Sequence, residues 1–289
     1  MLATRFAKNA TVIRSESPLT EDQMIRVAPS IFAPAAHVSR SERYSYVPTI
    51  DVLRGLSKEG FKPFMAAQSK SRIEGKSEFT KHLLRLRYVG DVTRQADAAN
   101  EIILINSHDG TSSYQMLSGV FRFMCLNGMV TGTIAEDFRV KHTGDVRGEV
   151  IDAAFRVLDD FEKIDASVEG MKALTLDTGE QKVFARAAAM LRFGALENGE
   201  PNTPVNVDHL LTPRRAEDVG SDLWRTFNRI QENTVRGGLR GRNTTGRRMT
   251  TREVQGIDRN VSLNRALWAL AEGMKGLKAG RSVEDLVAA

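Results

Sequence analysis

The hydrophobic positions are most regular between residues 146 and 171, where apolar side chains recur about every 3.6 residues. That spacing is the period of an α-helix with one buried face, so we predict one long amphipathic helix over this range. Shorter helical patterns cover residues 49–60, 178–194, 221–236 and 259–277. In the first of these, Thr49 is the expected N-cap and Gly60 the residue that ends the helix.

Three segments before the long helix have the composition and spacing of β-strands. They cover residues 61–70, 83–89 and 101–106. The connections between them are polar and short, which favours an antiparallel meander. In the second segment Arg85 and Arg87 alternate with leucines, so we predict that both arginines face solvent and could line a groove. Apolar spacing at 112–124 predicts a helix after the third strand, and residues 129–134 are a further strand candidate.

These elements predict an α+β fold. We expect a small antiparallel β-meander with a β-β-β-α core, packed with long amphipathic helices and followed by a helical C-terminal part. Residues 198–206 are rich in turn formers and indicate a boundary. The predicted regions are an N-terminal arm at 1–40, a core domain at 41–197 and a helical region at 198–289, which carries an arginine-rich loop at 236–252.

Composition excludes several classes of protein. With 41% hydrophobic and 27% charged residues, the 289-residue chain is typical of a globular protein. Cys125 is its single cysteine, so an intrachain disulfide or a multi-cysteine metal site is excluded. The sequence has no signal-peptide pattern and no apolar run of membrane-spanning length, and we expect a cytoplasmic protein that does not contact a membrane.

The net charge of +5 is concentrated in one segment. Residues 236–252 hold six arginines and no acidic residue, so the remainder of the chain has a net charge of −1. Arginine guanidinium groups suit the oxygen atoms of phosphates, which favours binding to a nucleic-acid backbone. No aromatic residue lies between Phe227 and Trp268, so base stacking would have to come from elsewhere, for example Tyr88 or Tyr114.

The arginines expected at this interface include three on the predicted helix at 221–236. The full set is Arg85, Arg87, Arg225, Arg229, Arg236, Arg240, Arg242, Arg247, Arg248 and Arg252.

A turn after the third strand holds the other candidate residues. Asn106, His108 and Asp109 could contact a ligand there, although adjacent residues in a turn cannot form a hydrolase triad. The five histidines lack metal-ligand spacing, and no phosphate-binding or dinucleotide-binding glycine motif is present. We therefore expect no metal, no cofactor and no catalytic residue.

Three stretches carry a family resemblance, namely residues 106–132, 227–260 and 261–274. On these the sequence resembles the domain-of-unknown-function 932 family, from about residue 40 to residue 276. The resemblance implies a prophage or plasmid setting, where proteins of DNA replication and recombination are common. The predicted β-β-β-α core is also similar to that of Rad52-like single-strand annealing proteins, which implies a homo-oligomer such as a ring.

The sequence thus favours a protein of a mobile element that binds single-stranded DNA and promotes annealing in recombination or replication. One alternative is an interaction protein, anti-defence or regulatory, whose arginines dock on an acidic host protein. A third is a metal-dependent enzyme that acts on nucleic acid through Asp109, His108 or His142, for which the sequence shows no catalytic constellation.

Overall fold

A computed structural model of the chain describes residues 10–40, 44, 46–71, 73–89, 98–122, 127–131, 138–140, 145–242, 246–282 and 284. The chain divides into two compact units. The first is formed by residues up to Phe161 with Gln255–Asp258, and the second by Glu162–Val254 with the residues from Arg259 onward. The turn-rich segment at 198–206 lies inside the second unit.

The first unit is built on an antiparallel sheet. Its strands are β1 (Ala10–Arg14), β2 (Phe61–Ser69), β3 (His82–Tyr88), β4 (Ala98–Asn106), β5 (Tyr114–Arg122), β6 (Asn127–Val130) and β7 (Phe138–Val140). The first six strands lie side by side in chain order, and β7 also pairs with β5. The α+β class and the meander predicted from the sequence are confirmed, and the three predicted strands correspond to β2, β3 and β4.

The predicted helix at 112–124 is wrong, because Tyr114–Arg122 is strand β5, paired with β4 along most of its length. The strand is buried on both faces: Met116 and Val120 lie on one, and Leu117 and Phe121 on the other. When both faces of a strand are apolar, apolar and polar residues no longer alternate along it. A short apolar run of this kind is also compatible with a helix. The core of the sheet is therefore not β-β-β-α, since a fourth strand follows the first three meander strands.

The first 40 residues contribute to this unit. Strand β1 pairs with β2, with Val12 opposite Ala67. Helix α1 (Glu21–Ile25) begins at a capping box between Thr20 and Gln23, and a 3-10 turn covers Pro29–Phe32. The described part of the predicted arm thus supplies an edge strand and a helical turn to the sheet unit.

The long helices follow the predicted pattern with one interruption. They are α2 (Thr49–Lys58), α3 (Val146–Asp159), α4 (Phe161–Ala173), α5 (Thr178–Phe193), α6 (Leu223–Arg236) and α7 (Ile257–Lys278). The single helix predicted over residues 146–171 is two helices, since Asp160 closes α3 with a backbone bond to Val157 of the 3-10 type, 3.2 Å long. No helix in these described ranges is long and apolar enough to cross a membrane.

Helix α6 is the centre of the second unit. The predicted core positions Leu223, Phe227, Ile230 and Thr234 are all buried. The Phe227 ring stacks on Trp224 at 5.8 Å between centroids, and it meets Trp268 of α7 edge to face at 5.9 Å. Two short antiparallel strands, β8 (Arg240–Arg242) and β9 (Arg248–Thr250), follow the helix. The arginine-rich segment, predicted as a loop, therefore contains a β-ribbon.

Candidate functional site

The ribbon formed by β8 and β9 sorts its side chains by face. Arg240 pairs with Thr250, Gly241 with Met249, and Arg242 with Arg248. Directly paired residues of an antiparallel ladder share a face, and successive residues alternate between faces. The guanidinium groups of Arg240, Arg242 and Arg248 therefore lie on the same side of the ribbon, which we call the arginine face.

On its opposite side the ribbon packs at Gly241 against another segment of the second unit. Gly241 approaches the chain at Pro204 so closely that a side-chain carbon there would overlap the Pro204 carbonyl oxygen and would lie 2.7 Å from Val205 Cγ1. Only glycine permits this approach. Because Gly241 faces inward, the residues before and after it in β8, Arg240 and Arg242, are turned outward.

The arginine face is exposed to solvent. Arg240, Arg242 and Arg248 are each in the exposed class, as are Arg247 and Arg252. Arg242 donates to the carbonyl oxygen of Gly246 at 2.8 Å. Within the described part of the chain, no carboxylate forms an ion pair with any arginine of this face. The five predicted interface arginines of residues 240–252 are thus brought together at the surface.

The three predicted interface arginines of α6 have protein partners. Arg225 is exposed but bonds the carboxylate of Asp222 at 2.8 Å, and Arg236 bonds Glu232 at 2.6 Å. Arg229 is only 7% exposed and donates to Gln181 Oε1 at 3.0 Å. Burial lowers the pKa of Arg229, and neighbouring carboxylates oppose that shift.

Arg225, Arg229 and Arg236 therefore do not form an exposed row of cations on α6. Residues Leu223–Val235 are buried apart from Arg225. A helix enclosed on nearly all sides has no solvent face for a row of cations, and Arg229 serves as an interior hydrogen-bond donor.

Three arginines near the ribbon were not among the residues predicted from the sequence. Arg192 of α5 donates from Nε to the Thr234 carbonyl at 3.3 Å and from its NH2 group to the Arg252 carbonyl at 3.0 Å. Arg214 donates to Asn233 Oδ1 at 2.6 Å and also to the carbonyl of Gly237, and Arg215 pairs with Glu232 at 3.0 Å. The adjacent pair Arg214-Arg215 was the one signal in the sequence that could have found this group.

Arg85 and Arg87 lie inside the first unit, so the prediction that they face solvent is wrong. They are 4% and 3% exposed. Arg85 bonds Glu101 Oε2 at 2.9 Å, and Arg87 bonds Glu101 Oε1 at 2.8 Å. The Arg87 guanidinium also lies 4.3 Å from the centroids of the Phe64 and Phe121 rings. Both faces of the sheet are covered here, and Glu101 on the neighbouring strand makes the burial of two cations tolerable.

The turn that carries Asn106, His108 and Asp109 is also buried. The hydroxyl of Thr49 lies 3.0 Å from Asn106 Nδ2, 3.2 Å from His108 Nε2, 2.9 Å from His82 Nε2 and 3.2 Å from the Tyr114 hydroxyl. One hydroxyl donates a single proton and accepts two, so it satisfies three of these four partners at a time. Thr49 is the first residue of α2 and not its N-cap, which is Pro48.

Burial sets the protonation of this cluster. It lowers the pKa of His82 to about 3, and the nearby ring of His108 contributes in the same direction. Burial likewise raises the pKa of Tyr114 well above its usual value. Burial raises the pKa of Asp109 too, but hydrogen bonds from Thr111, Ser107 and Lys76 outweigh it and leave that pKa below its usual value. The cluster is therefore a polar interior whose histidine His82 is neutral at pH 7.

Two further predictions concerned aromatic stacking surfaces and metal binding. Tyr114, which was expected to offer a stacking surface, is fully buried, and the half-buried Tyr88 packs its ring on Phe61 at 5.3 Å between centroids. Among the described residues, no group of three or more histidine, cysteine or acidic side chains is arranged to hold a metal ion. His142 lies outside the described residues.

The geometry thus defines an α+β protein with a meander sheet in one unit and an exposed arginine ribbon in the other. Residues 36–268 match the family model described as "Domain of unknown function (DUF932)". The chain therefore belongs to the DUF932 family, as the resemblance of its motifs predicted.

Two Escherichia coli K12 proteins are similar to the chain over nearly its full length. UPF0380 protein YafZ is 49% identical over 273 residues, which cover 94% of this chain and 97% of that protein. UPF0380 protein YfjQ is 49% identical over 271 residues, which cover 94% of this chain and 96% of that protein. No solved structure matches the chain significantly.

Proposed function

We propose that the protein binds the sugar-phosphate backbone of nucleic acid through the arginine face, and that its substrate is single-stranded DNA. One observation carries the proposal: Arg240, Arg242 and Arg248 share the outward face of the ribbon, and none has a carboxylate partner in the described part of the chain. Guanidinium groups with free donors are suited to phosphate oxygens, to which they bond in pairs.

The cross-strand pair Arg242–Arg248 supports an anionic ligand. Like charges directly opposite each other on a ladder destabilise the pairing. A phosphate between the two guanidinium groups would remove that repulsion and gain charge-assisted hydrogen bonds. An anion is therefore the ligand that this arrangement favours most directly.

The spacing along β8 supports an extended strand as the ligand. Arg240 and Arg242 are two residues apart, which corresponds to about 6.6 Å along a β-strand. This is close to the distance between successive phosphates along one nucleic-acid strand. Met249 lies on the opposite face of the ribbon, and the arginine face has no aromatic residue in its two strands. Binding should accordingly depend on the backbone and little on base identity.

The biological part of the proposal is a role in recombination or replication of phage or plasmid DNA in the cytoplasm, with annealing of single strands and assembly into a homo-oligomer such as a ring. The similarity to Rad52-like proteins was based on a predicted β-β-β-α core, but strand β5 stands where the helix of that core was expected. Annealing therefore needs its own test, namely strand pairing of complementary labelled oligonucleotides measured with and without the protein.

The direct test of the ribbon is a salt titration of binding. Fluorescence anisotropy with labelled oligothymidylate, a duplex and an RNA oligonucleotide would compare the wild type with the triple variant Arg240→Gln, Arg242→Gln, Arg248→Gln. Each lost phosphate contact on a single strand reduces the magnitude of the slope of log K against log salt by about 0.7. In the triple variant this magnitude should therefore be smaller by about 2 than in the wild type. Tight binding of the oligothymidylate by the wild type and its loss in the triple variant are the expected results.

The matched control is Arg54→Gln, because Arg54 is exposed and paired with Glu21 at 2.8 Å, far along the chain from the ribbon. It should bind like the wild type. Unaltered binding by the triple variant would overturn the proposed site, and equal or stronger binding of the duplex would overturn the single-strand preference. A protein partner that survives nuclease treatment and is lost in the triple variant would assign the arginine face to an acidic protein surface instead.

A further inference from the structure

The ribbon is attached to the end of α6 by a short network of backbone bonds. Gly237 ends the helix with a positive φ of 64°, and a side chain there would meet the backbone of Arg252 at 2.6 Å. Gly238 and Thr251 are joined by a 2.8 Å backbone bond, and Val254 bonds back to Val235 at 2.8 Å. The two ends of the ribbon therefore leave and rejoin the unit at one point beside the last turn of α6.

Arg192 bridges the two sides of this attachment point. Its guanidinium reaches from α5 to the Thr234 carbonyl in the last turn of α6 and to the Arg252 carbonyl just after β9. The last carbonyls of a helix lack intrahelical partners, and a cation placed there is favoured by the helix dipole. One side chain thus connects the end of α6 to the segment that follows β9.

Arg214 performs the same task on the entering side. It donates to Asn233 Oδ1 in α6 and to the carbonyl of Gly237, immediately before the ribbon begins. Burial lowers the pKa of both Arg192 and Arg214. Arg192 and Arg214 thus bond oxygen atoms on both sides of the attachment point, whereas the side chains of the arginine face are exposed to solvent.

We infer that Arg192 and Arg214 are positioning residues that hold the ribbon against α6 and so fix the orientation of the arginine face for its anionic ligand. The inference rests on the proposed function and deepens it, because it assigns a role to two arginines that lie outside the arginine face. Arginine is suited to the task, since its rigid fork bonds two carbonyl groups at once and the ammonium group of lysine has no such geometry.

Positioning and phosphate contact predict different salt behaviour. Loss of a positioning residue should weaken binding of labelled oligothymidylate roughly tenfold, the effect of one lost charge-assisted hydrogen bond, with the salt slope unchanged. Loss of a phosphate contact, as in Arg242→Gln, should reduce the slope by about 0.7. Titrations of Arg192→Gln, Arg214→Gln and Arg242→Gln at several salt concentrations separate the two roles.

Hydrogen exchange supplies a second readout that does not depend on the ligand. In Arg192→Gln and Arg214→Gln the amides of Gly238, Thr251 and Val254 should exchange faster, while those of the α6 core keep their wild-type protection. Arg186→Gln is the matched control, because Arg186 lies on the same helix as Arg192, is exposed and pairs with Glu200 at 2.6 Å. It should change neither the binding nor the exchange of the ribbon.

The conservative variant Arg192→Lys keeps the experiment decisive if Arg192→Gln does not fold. It should restore one of the two bonds and give affinity and exchange rates between those of the wild type and the glutamine variant. Wild-type binding and exchange in both glutamine variants, or a fall of about 0.7 in their salt slope, would overturn the inference. Failure of the wild type to bind any nucleic acid would instead overturn the proposed function, and the exchange measurement would still show whether these arginines hold the ribbon.

Discussion

Two groups of arginines that are similar in sequence have opposite environments in this protein. Arg85 and Arg87 alternate with leucines along β3 and are buried, with Glu101 bonded to both. Arg240 and Arg242 alternate around Gly241 along β8 and are exposed, without a carboxylate partner in the described part of the chain. A strand with arginines at alternate positions can thus be an interior ion network or a surface for anions, and the presence of a partner carboxylate decides which.

The two environments predict different responses to substitution. A buried charge depends on its partner, and loss of that partner leaves a desolvated ion. An exposed row of like charges adds little to the free energy of unfolding, and it should contribute more to ligand binding than to stability.

Glu101→Gln should have the largest effect on stability, a loss of about 3–5 kcal/mol in the free energy of unfolding. The variant removes the carboxylate that bonds both buried arginines, Arg85 and Arg87. Urea denaturation measures the change, and Glu21→Gln is the control in the same unit, because its exposed pair with Arg54 should be worth less than about 1 kcal/mol. Equal effects of the two variants would show that the buried network carries no special weight.

The sheet interior should also oppose protonation of His82, which has no carboxylate hydrogen-bonded or ion-paired to it among its described contacts. The unfolded chain binds this proton near pH 6.5 and the folded chain only near pH 3, so the unfolded state takes up protons first as the pH falls. The free energy of unfolding should therefore decrease between pH 6.5 and pH 3, by about 2 kcal/mol at pH 5 from this residue. Urea denaturation at pH 7 and pH 5 should show a smaller decrease in His82→Gln, and identical decreases would contradict the buried neutral histidine.

Gly241→Ala should disturb the inner face of the ribbon while leaving every arginine of the outer face in place. The added methyl group would collide with the Pro204 carbonyl and push the ribbon outward. We expect the free energy of unfolding to fall by about 1 kcal/mol. Exchange of the Thr251 amide would rise and oligothymidylate binding would weaken, although every arginine remains. Gly246→Ala is the control for glycine replacement in the same segment, since nothing lies within 4 Å of its added carbon, although its φ of 78° introduces backbone strain. Equal exchange in the two variants would count against contact between Gly241 and Pro204.

The smallest effect on stability is expected from the pair Arg242→Gln, Arg248→Gln. Exposed substitutions usually change the free energy of unfolding by less than about 0.5 kcal/mol, and removal of a like-charge pair acts in the stabilising direction. Thermal and urea denaturation would measure it alongside the loss of binding. A large destabilisation would show that these arginines have interior partners and would remove the contrast with Arg85 and Arg87.

Much of the secondary structure was predictable because its signals are local. The strands β2, β3 and β4 and the helices α2, α5, α6 and α7 follow from periodicity within a few residues of their observed bounds. Strand β5 did not, because apolar residues on both of its faces remove the alternation that marks a strand. The arginine-rich segment was found as a cluster of charge, whereas its ribbon and the arginines that hold it, Arg192 and Arg214, depend on contacts with residues distant in the chain.

Local patterns in the sequence were sufficient to predict the α+β class, most of the periodic elements, the family and the concentration of positive charge in residues 236–252. Which arginines reach solvent depends on contacts between segments that are distant in the chain. Glu101 lies 14 and 16 residues from the arginines that it neutralises, and Gly241 turns its neighbours outward because Pro204, on another segment, occupies the inner side. The physical reason is that period and charge are properties of neighbours along the chain, whereas burial and ion pairing depend on which segments meet when the chain folds.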